Sequence, residues 1–505
     1  TYGIMKTLYA VRYVIVIAVI LFTSACEEKL LDKNPLDQIS SQTFWKTEDD
    51  VKMALGGCYR QLQSDFMGYR RVWLDCLTDN AFAEWNYFNI APMTIGVTSA
   101  NSGGAVNMAY YAPYRGIANC NYFLTNIGNV PIDDQKKTVY IGEVKFLRAL
   151  MYFDLVNFFG DVILYKESPA SADAAKVAKS PKAEVLAFIH EDLDAAIASL
   201  PEAEYKGHAV KGSATAIKAR VLLYEKKWAE AASFAQQTMQ SGKFSIYNNY
   251  LGLFLTGTQG GNPEIIFSTQ YLSPTNPTAF VESMDVEIGW YGCIDPYQDL
   301  VDEYECTDGK MIAESPLYNA AAPFANRDPR LVLTMRRVAE ESWVEPQHPG
   351  QTGYVMRKYA DFSHTPFSYA NTNSDQDMVW IRYADVLLMY AEAKNEADGP
   401  DASVYDALDE IRSRAGVNMP PVDRTKYSSK DLLRDYIRHE RRVELALEGH
   451  RYFDIKRWEI AATKLPTLEN PGGVPLVFEP KHYLFPFPQG ELDNNPQLEQ
   501  NAGYQ

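Results

Sequence analysis

The residues best suited to chemistry in this chain are planar rings set among short polar side chains. Trp85, Tyr87, Trp290 and Tyr291 fall in stretches with Asp, Asn and Gly for neighbours, and Asp79 and Asn80 precede the first two. A fixed ring can stack on the apolar face of a sugar while amides and carboxylates hydrogen-bond its hydroxyls. That makes the four rings candidate stacking platforms and Asp79 and Asn80 candidate hydroxyl partners. Trp73 and Trp343 share the same kind of surroundings. The same rings could instead pin loops to a scaffold, and their spacing does not separate the two roles.

Other constellations support less. A glycosidase needs two carboxylates astride a sugar bond, one with a raised pKa, and 65 Asp and Glu allow any such pair to be invented. There is no Gly-x-Ser-x-Gly elbow. Gly257, Gly260 and Gly261 lack the following Gly-Lys-Ser/Thr of a phosphate cradle and read as turn residues. The seven histidines form no H-E-x-x-H or H-x3-H pair. No Asp-x-Asp-x-Asp-Gly loop argues for calcium. The dense charged run Arg438, His439, Glu440, Arg441, Arg442, Glu444, Glu448, His450, Arg451, Asp454 and Arg457 has the i, i+3 and i+4 alternation of ion pairs that fix helix ends. No catalytic residue, metal or cofactor is expected.

Cys26 carries a different chemistry. Lys6 and Arg12 supply positive charge, Val14 to Phe22 is apolar, and Thr23-Ser24-Ala25 are the small residues that precede a lipoprotein cysteine. The apolar run is far shorter than the ~20 residues of a transmembrane helix. Residues 1–25 are therefore expected to be a lipoprotein signal peptide, with 1–4 an extension upstream of Met5, and Cys26 the lipidation site. Each buried methylene of an acyl chain contributes about 0.8 kcal/mol, so two or three chains anchor stably where one holds only marginally. Glu27-Glu28-Lys29 resemble an export tag to the outer face of the outer membrane, and a solvated linker would read the same way.

Composition narrows the partners. Lys and Arg total 48 against 65 Asp and Glu, a net charge of -17, which disfavours a phosphate backbone and excludes nucleic acid as a natural partner. Cys58, Cys76, Cys120, Cys293 and Cys306 are odd in number with no C-x-x-C spacing, indicating neither a disulfide framework nor a zinc site, though one disulfide stays open. About 480 residues after Cys26 suffice for a large core.

The elements that must position these residues are helical. Thr47-Glu48-Asp49-Asp50 has the form of an N-cap with acids in the first turn, and Val51, Leu55, Cys58, Tyr59 and Leu62 follow at helical spacing, predicting a helix from about Thr47 to Gln63. Val144, Leu147, Met151, Leu155 and Phe158 predict a second, stopped at Gly160. Val185 to Leu200 predict a third, broken by Pro201. From Ala214 to Gly242 the chain reads as a helix-turn-helix pair of about 30 residues, and Asp385–Ala393 with Tyr405, Leu408 and Ile411 repeat it. Such pairs look like tetratricopeptide repeats, which stack and bury each other's apolar faces. Alanine-rich pairs of this kind also occur in other bundles. Trp228, Trp380 and Trp458 lie inside periodic segments and read as core. Periodicity fades over 73–112 and 251–366, which read as long loops with short strands, the segments that commonly carry binding function.

Together the motifs resemble the SusD/RagB family of outer-membrane nutrient-binding lipoproteins, over the whole mature chain. The resemblance begins with Cys26 and Phe44-Trp45-Lys46-Thr47-Glu48-Asp49-Asp50 and continues through residues 143–153, Phe159-Gly160-Asp161-Val162, Asn262-Pro263-Glu264-Ile265-Ile266-Phe267, Asp328-Pro329-Arg330 and residues 381–393. Its most specific pieces are Glu440-Arg441-Arg442-Val443-Glu444-Leu445, Glu448-Gly449-His450-Arg451-Tyr452-Phe453-Asp454 and Arg457-Trp458. Phe485-Pro486-Phe487-Pro488, Glu491, Asn495-Pro496 and Gln500-Asn501 close the chain as they do in these proteins.

The resemblance implies a mostly α fold, a tetratricopeptide-repeat-like scaffold of about four helix pairs with long irregular loops and a few short strands. It implies one SusD-like domain over 26–505, with an N-terminal part to about 320 and a C-terminal part from about 321. It implies a non-enzymatic surface lipoprotein, lipid-anchored to the outer membrane through Cys26 and facing outward. Such a protein sits as a lid on a TonB-dependent, SusC-like transporter barrel and passes it captured glycan. Capture of peptides or another nutrient, or a structural adaptor that binds no small molecule, are the alternatives within this architecture, and a surface glycoside hydrolase is the alternative outside it. The family motifs are scaffold pieces and do not supply the ligand site.

Overall fold

The computed structural model describes residues 44–504 except 274, 276–282, 341–349, 366 and 369–373. Cys26 and the signal segment, like Trp343, lie outside the described residues.

The scaffold is helical, and its boundaries follow local chemistry. Helix α1 (Glu48–Arg60) starts at a capping box in which Thr47 accepts from the Asp50 N–H and the Asp50 carboxylate accepts from the Thr47 N–H. Helix α2 (Gly104–Asn126) follows, then α3 (Asp134–Phe159), capped by Asp133 and ended by Gly160 at φ 76°. Helices α4 (Lys182–Ser199), α5 (Lys211–Tyr224) and α6 (Trp228–Gln240) come next. In the C-terminal part are α7 (Tyr383–Asp398), α8 (Ala402–Arg412), α9 (Lys430–Glu444) and α10 (Arg451–Arg457). From α2 to α7 each helix packs on the next, so α6 meets α7 across an intervening stretch of about 140 residues, and α7 then packs on α8 and α9. This is the tetratricopeptide-repeat-like arrangement expected from the paired periodic segments.

The sheets are small and antiparallel. Strand β1 (Ala81–Ala83) pairs with β3 (Ile294–Pro296), β2 (Ile265–Thr269) with β6 (Met378–Arg382), and β4 (Met335–Arg337) with β5 (Tyr354–Met356). The β2–β6 pair lies wholly in the core, where the Trp380 indole donates to Thr269 Oγ1 at 2.9 Å and to the Met67 carbonyl.

The sequence reading of residues 73–112 as loop with short strands needs correction. Tyr69–Leu77 is a buried 3-10 helix, Ile90–Thr94 is a short helix, and α2 begins at Gly104. Helix α2 starts on Gly103-Gly104 without a side-chain cap, holds Pro113 and is buried on several sides, so it has neither the start signal nor the one-sided stripe that betrays a helix in sequence. Trp228 is half-buried against the core, whereas Trp380 and Trp458 are buried. The five described cysteines are buried free thiols.

The charged run also does more than cap helices. Glu444 accepts from Arg382 and Arg414, each at 2.6 Å, and from Arg330 at 2.8 Å; Glu440 accepts from Arg330 and Arg412. Arg441 spans Asp385 and Asp454, and Glu264 bridges Arg382 and Arg414. All of these side chains are buried.

Candidate binding ledge

Strand register brings the predicted rings together. Ala83 on β1 is opposite Ile294 on β3, so the chain leaving β1 at Glu84 and Trp85 runs beside the chain entering β3 from Trp290 and Tyr291. The Glu84 N–H donates to the Cys293 carbonyl at 3.1 Å, and the Trp85 indole N–H donates to the Tyr291 carbonyl at 3.3 Å. The Tyr291 ring then meets Trp85 edge-on at 6.1 Å and Tyr87 at 6.2 Å between centroids. Trp85, Tyr87, Trp290 and Tyr291 are all half-buried and packed on the core. The edges of Trp85, Tyr87 and Tyr291 are held, and all four residues are still partly open to solvent, the state an aromatic ledge needs.

Both supporting loops are fixed by unusual backbone. Phe88 and Asn89 are left-handed, at φ 59° and 54°, a conformation that costs a bulky residue energy unless its surroundings enforce it. Here Phe88 packs edge-on against the buried Trp73 at 5.2 Å and lies under the Arg70 guanidinium at 4.6 Å, while Asn89 donates to the Ser102 carbonyl. Gly104 lies directly beneath, where a Cβ would come within 2.1 Å of the Phe88 carbonyl oxygen. The second loop is a π-helical turn, Asp285–Trp290, a geometry found disproportionately at functional sites. It is anchored by Asp285, which accepts from His364, from the Gln376 amide and from the Asp361 N–H at 2.7 to 2.8 Å. Glu287 in the same turn accepts from the Trp73 indole at 2.8 Å and from the Tyr69 hydroxyl, tying the two loops together from below.

The structure assigns Asp79 and Asn80 elsewhere, which corrects their reading as hydroxyl partners. Asp79 is fully buried; its carboxylate accepts from Arg451 at 2.7 and 2.8 Å and pairs with Arg442. Burial disfavours its charge, but those two guanidinium groups outweigh burial and hold it well below the ordinary carboxylate range. Asn80 donates to Asp75 and accepts from Arg442. Both side chains belong to the interior.

Polar groups missed in the sequence lie closer to the rings. Asn86 and Asn89 are exposed between and beside Trp85 and Tyr87. Glu84 and the buried Asp295 share the Gln351 N–H, which donates to both at 3.1 and 2.7 Å. Burial, followed by the neighbouring Glu84, pushes the Asp295 carboxyl well above its ordinary range. The only signal for Asn86 and Asn89 was that they interleave the rings. The arrangement offers planar faces, amides and the neighbouring carboxyl groups of Glu84 and Asp295.

A separate cavity of ≈ 670 Å³ opens among Tyr59, Gln63, His208, Gln270 and Asp377. Among the described residues no group of three or more His, Cys, Asp or Glu could hold a metal ion, and no helix is long and apolar enough to cross a membrane.

The family model described as SusD family matches residues 346–504, and the one described as Starch-binding associating with outer membrane matches residues 29–223. SusD-like protein P25 of Formosa agariphila is 26% identical over 530 aligned positions, spanning 97% of this chain and 98% of that protein. A SusD-like carbohydrate binding protein from Bacteroides fragilis superposes with a TM-score of 0.80 at 28% identity, over 90% of this chain and all of that one. A laminarin binding SusD-like protein superposes with a TM-score of 0.70 at 26% identity, over 91% of this chain and 100% of its own.

Proposed function

We propose, from the premise that this chain belongs to the SusD/RagB family, that it is a non-enzymatic, lipid-anchored protein of the outer membrane that captures glycan on the ledge of Trp85, Tyr87, Trp290 and Tyr291. The ligand passes from there to a TonB-dependent, SusC-like transporter barrel. The observation that carries this is the convergence of half-buried rings from two loops joined by β1–β3. Two relatives whose names state carbohydrate and laminarin binding support the ligand class. The Cys26 signal and the family description of outer-membrane association support the location.

The mechanism is passive. Rings already locked by edge-on contacts lose little entropy when a sugar stacks on them, and each contact contributes modestly. Release must stay easy for handover, so the dissociation constant is expected to be about micromolar or weaker, about 8 kcal/mol at most. Isothermal titration of the form starting after Cys26, against oligosaccharides with peptides as controls, tests this. Saturable binding to one glycan class that disappears in Trp85→Ala and Tyr291→Ala supports capture at the ledge. Binding to peptides alone, or glycan binding that survives both substitutions, overturns the assignment.

A further inference from the structure

A second cleft, of ≈ 650 Å³, lies where the C-terminal end of α3, the start of α4, the end of α5 and α10 meet the segment around Tyr483. It shares no residue with the aromatic ledge. Its charges are unbalanced. Lys456 is 9% exposed, and its ammonium donates to two neutral oxygens, the Asn157 carbonyl at 3.1 Å and the Tyr452 hydroxyl at 3.2 Å. Lys182 projects from the first turn of α4 onto the same cleft. Among the described residues neither lysine has a carboxylate within ion-pair distance. The other cations of the cleft do have them: Lys226 pairs with Glu459 at 2.7 Å, and Arg457 with Glu392 and Asp454. The other buried lysines do as well: Lys218 pairs with Asp194, and Lys358 with Glu448 at 2.9 Å.

The buried Lys456 ammonium without an anion is costly, and the exposed ammonium of Lys182 facing the same cavity adds like-charge repulsion. The walls are suited to a small ring, with Tyr224 and Tyr483 half-buried beside Phe453. We infer that this cleft binds an oxyanion, the carboxylate, sulfate or phosphate group of a small polar molecule, between Lys456 and Lys182, with the tyrosines against its body.

Protonation gives the site a signature. Burial, followed by the Lys182 ammonium, pushes Lys456 down to about 7. Lys182 is also lowered, by burial, against the opposing pull of Glu225 and Asp161. The remaining titratable and charged groups facing Lys456 are Tyr452, Tyr224, Tyr483, Lys226, Arg457 and Glu459. Lys456 loses its charge as pH rises through about 7, so affinity for an anion whose own charge is fixed over this range, sulfate or a sugar carboxylate, falls as pH rises.

The test is titration of the folded protein with sulfate, phosphate and glucuronate at constant ionic strength set by chloride, with glucose as the uncharged control. At least one of the three anions is expected to bind saturably, about tenfold more tightly at pH 6 than at pH 8.5. Lys456→Met is expected to abolish this and Trp85→Ala to leave it unchanged. Lys182→Ala, at an exposed position that does not threaten folding, is expected to weaken it about tenfold. Glucuronate binding without sulfate or phosphate binding identifies a sugar carboxylate as the natural group; the reverse identifies a sulfate or phosphate ester. No response beyond chloride, or an anion response that survives Lys182→Ala and is flat with pH, overturns the site.

Discussion

The left-handed backbone of Phe88 brings its carbonyl so close to Gly104 that no side chain fits between them. A methyl group at position 104 would sit 2.1 Å from the Phe88 oxygen, against backbone and not against a side chain that could swing away. Gly104→Ala is therefore expected to push out the loop carrying Trp85 and Tyr87. It should cost about 1–3 kcal/mol of stability, the usual penalty of overpacking, and weaken glycan binding at least tenfold. A urea melt and a glycan titration of the same variant check both halves. Unchanged binding would mean that the ledge does not depend on this loop's position. Trp85→Ala, by contrast, removes a half-buried ring and should affect binding far more than stability. At this scale the sequence was informative about residue type and silent about burial. Trp85, Tyr87, Trp290 and Tyr291 were legible as rings among polar neighbours. Asp79 and Asn80 looked just as polar, and only the approach of Arg442 and Arg451, more than 360 residues away in sequence, takes them inside.

Helix α9 shows how an element can be legible in pattern and hidden in role. Its alternating charges announced ion pairs, but their partners lie at Glu303, Glu305, Arg330, Arg382, Asp385 and Arg414, which no local spacing reveals. The same limit applies to β1 and β3: three-residue strands leave almost no alternation to read, yet their pairing assembles the ledge. His439 of α9, half-buried, donates toward Glu303 at 2.9 Å and lies 3.6 Å from Glu305. Burial opposes its protonation, but the two carboxylates outweigh burial and raise it to about 10. Burial likewise opposes the charge on Glu305, and His439 with Arg412 hold it at about 2. The signs follow from linkage. The histidine's contribution is complete below its unfolded value near 6.5 and is lost as pH rises toward 10. The glutamate's is complete above its unfolded value near 4.3 and is lost as pH falls toward 2. Thermal midpoints measured from pH 6 to 10 should fall more steeply for the native chain than for His439→Gln, which cannot titrate there. Parallel profiles would remove His439 from the list of stabilising charges.

At the scale of the whole molecule, the buried charges tie distant stretches of chain into one body. Arg71 reaches Asp154 on α3, Arg220 on α5 reaches Asp385 on α7, Arg442 on α9 reaches Asp79, and Arg382 on β6 reaches Glu264. The β2–β6 pair and the packing of α6 on α7 run in the same direction, joining residues before about 270 to those after about 378. The two segments matched by separate family models therefore lean on common contacts in the interior. Independent folding units would unfold in separate steps; a chain stitched this way should melt in one. Calorimetry is expected to record a single endotherm. Glu444→Ala, which leaves Arg330, Arg382 and Arg414 short of a shared partner, should lower that same transition by about 3–5 kcal/mol, the cost of breaking a buried pair. Asp79→Ala should do likewise through Arg442 and Arg451, with glycan affinity per folded molecule unchanged. Two resolved endotherms, with Glu444→Ala shifting only the one assigned to the C-terminal part, would show that the charges stabilise one part without coupling it to the other. A single endotherm that both substitutions lower would mean that the chain unfolds as one cooperative body, held by interactions that span nearly all of the described residues.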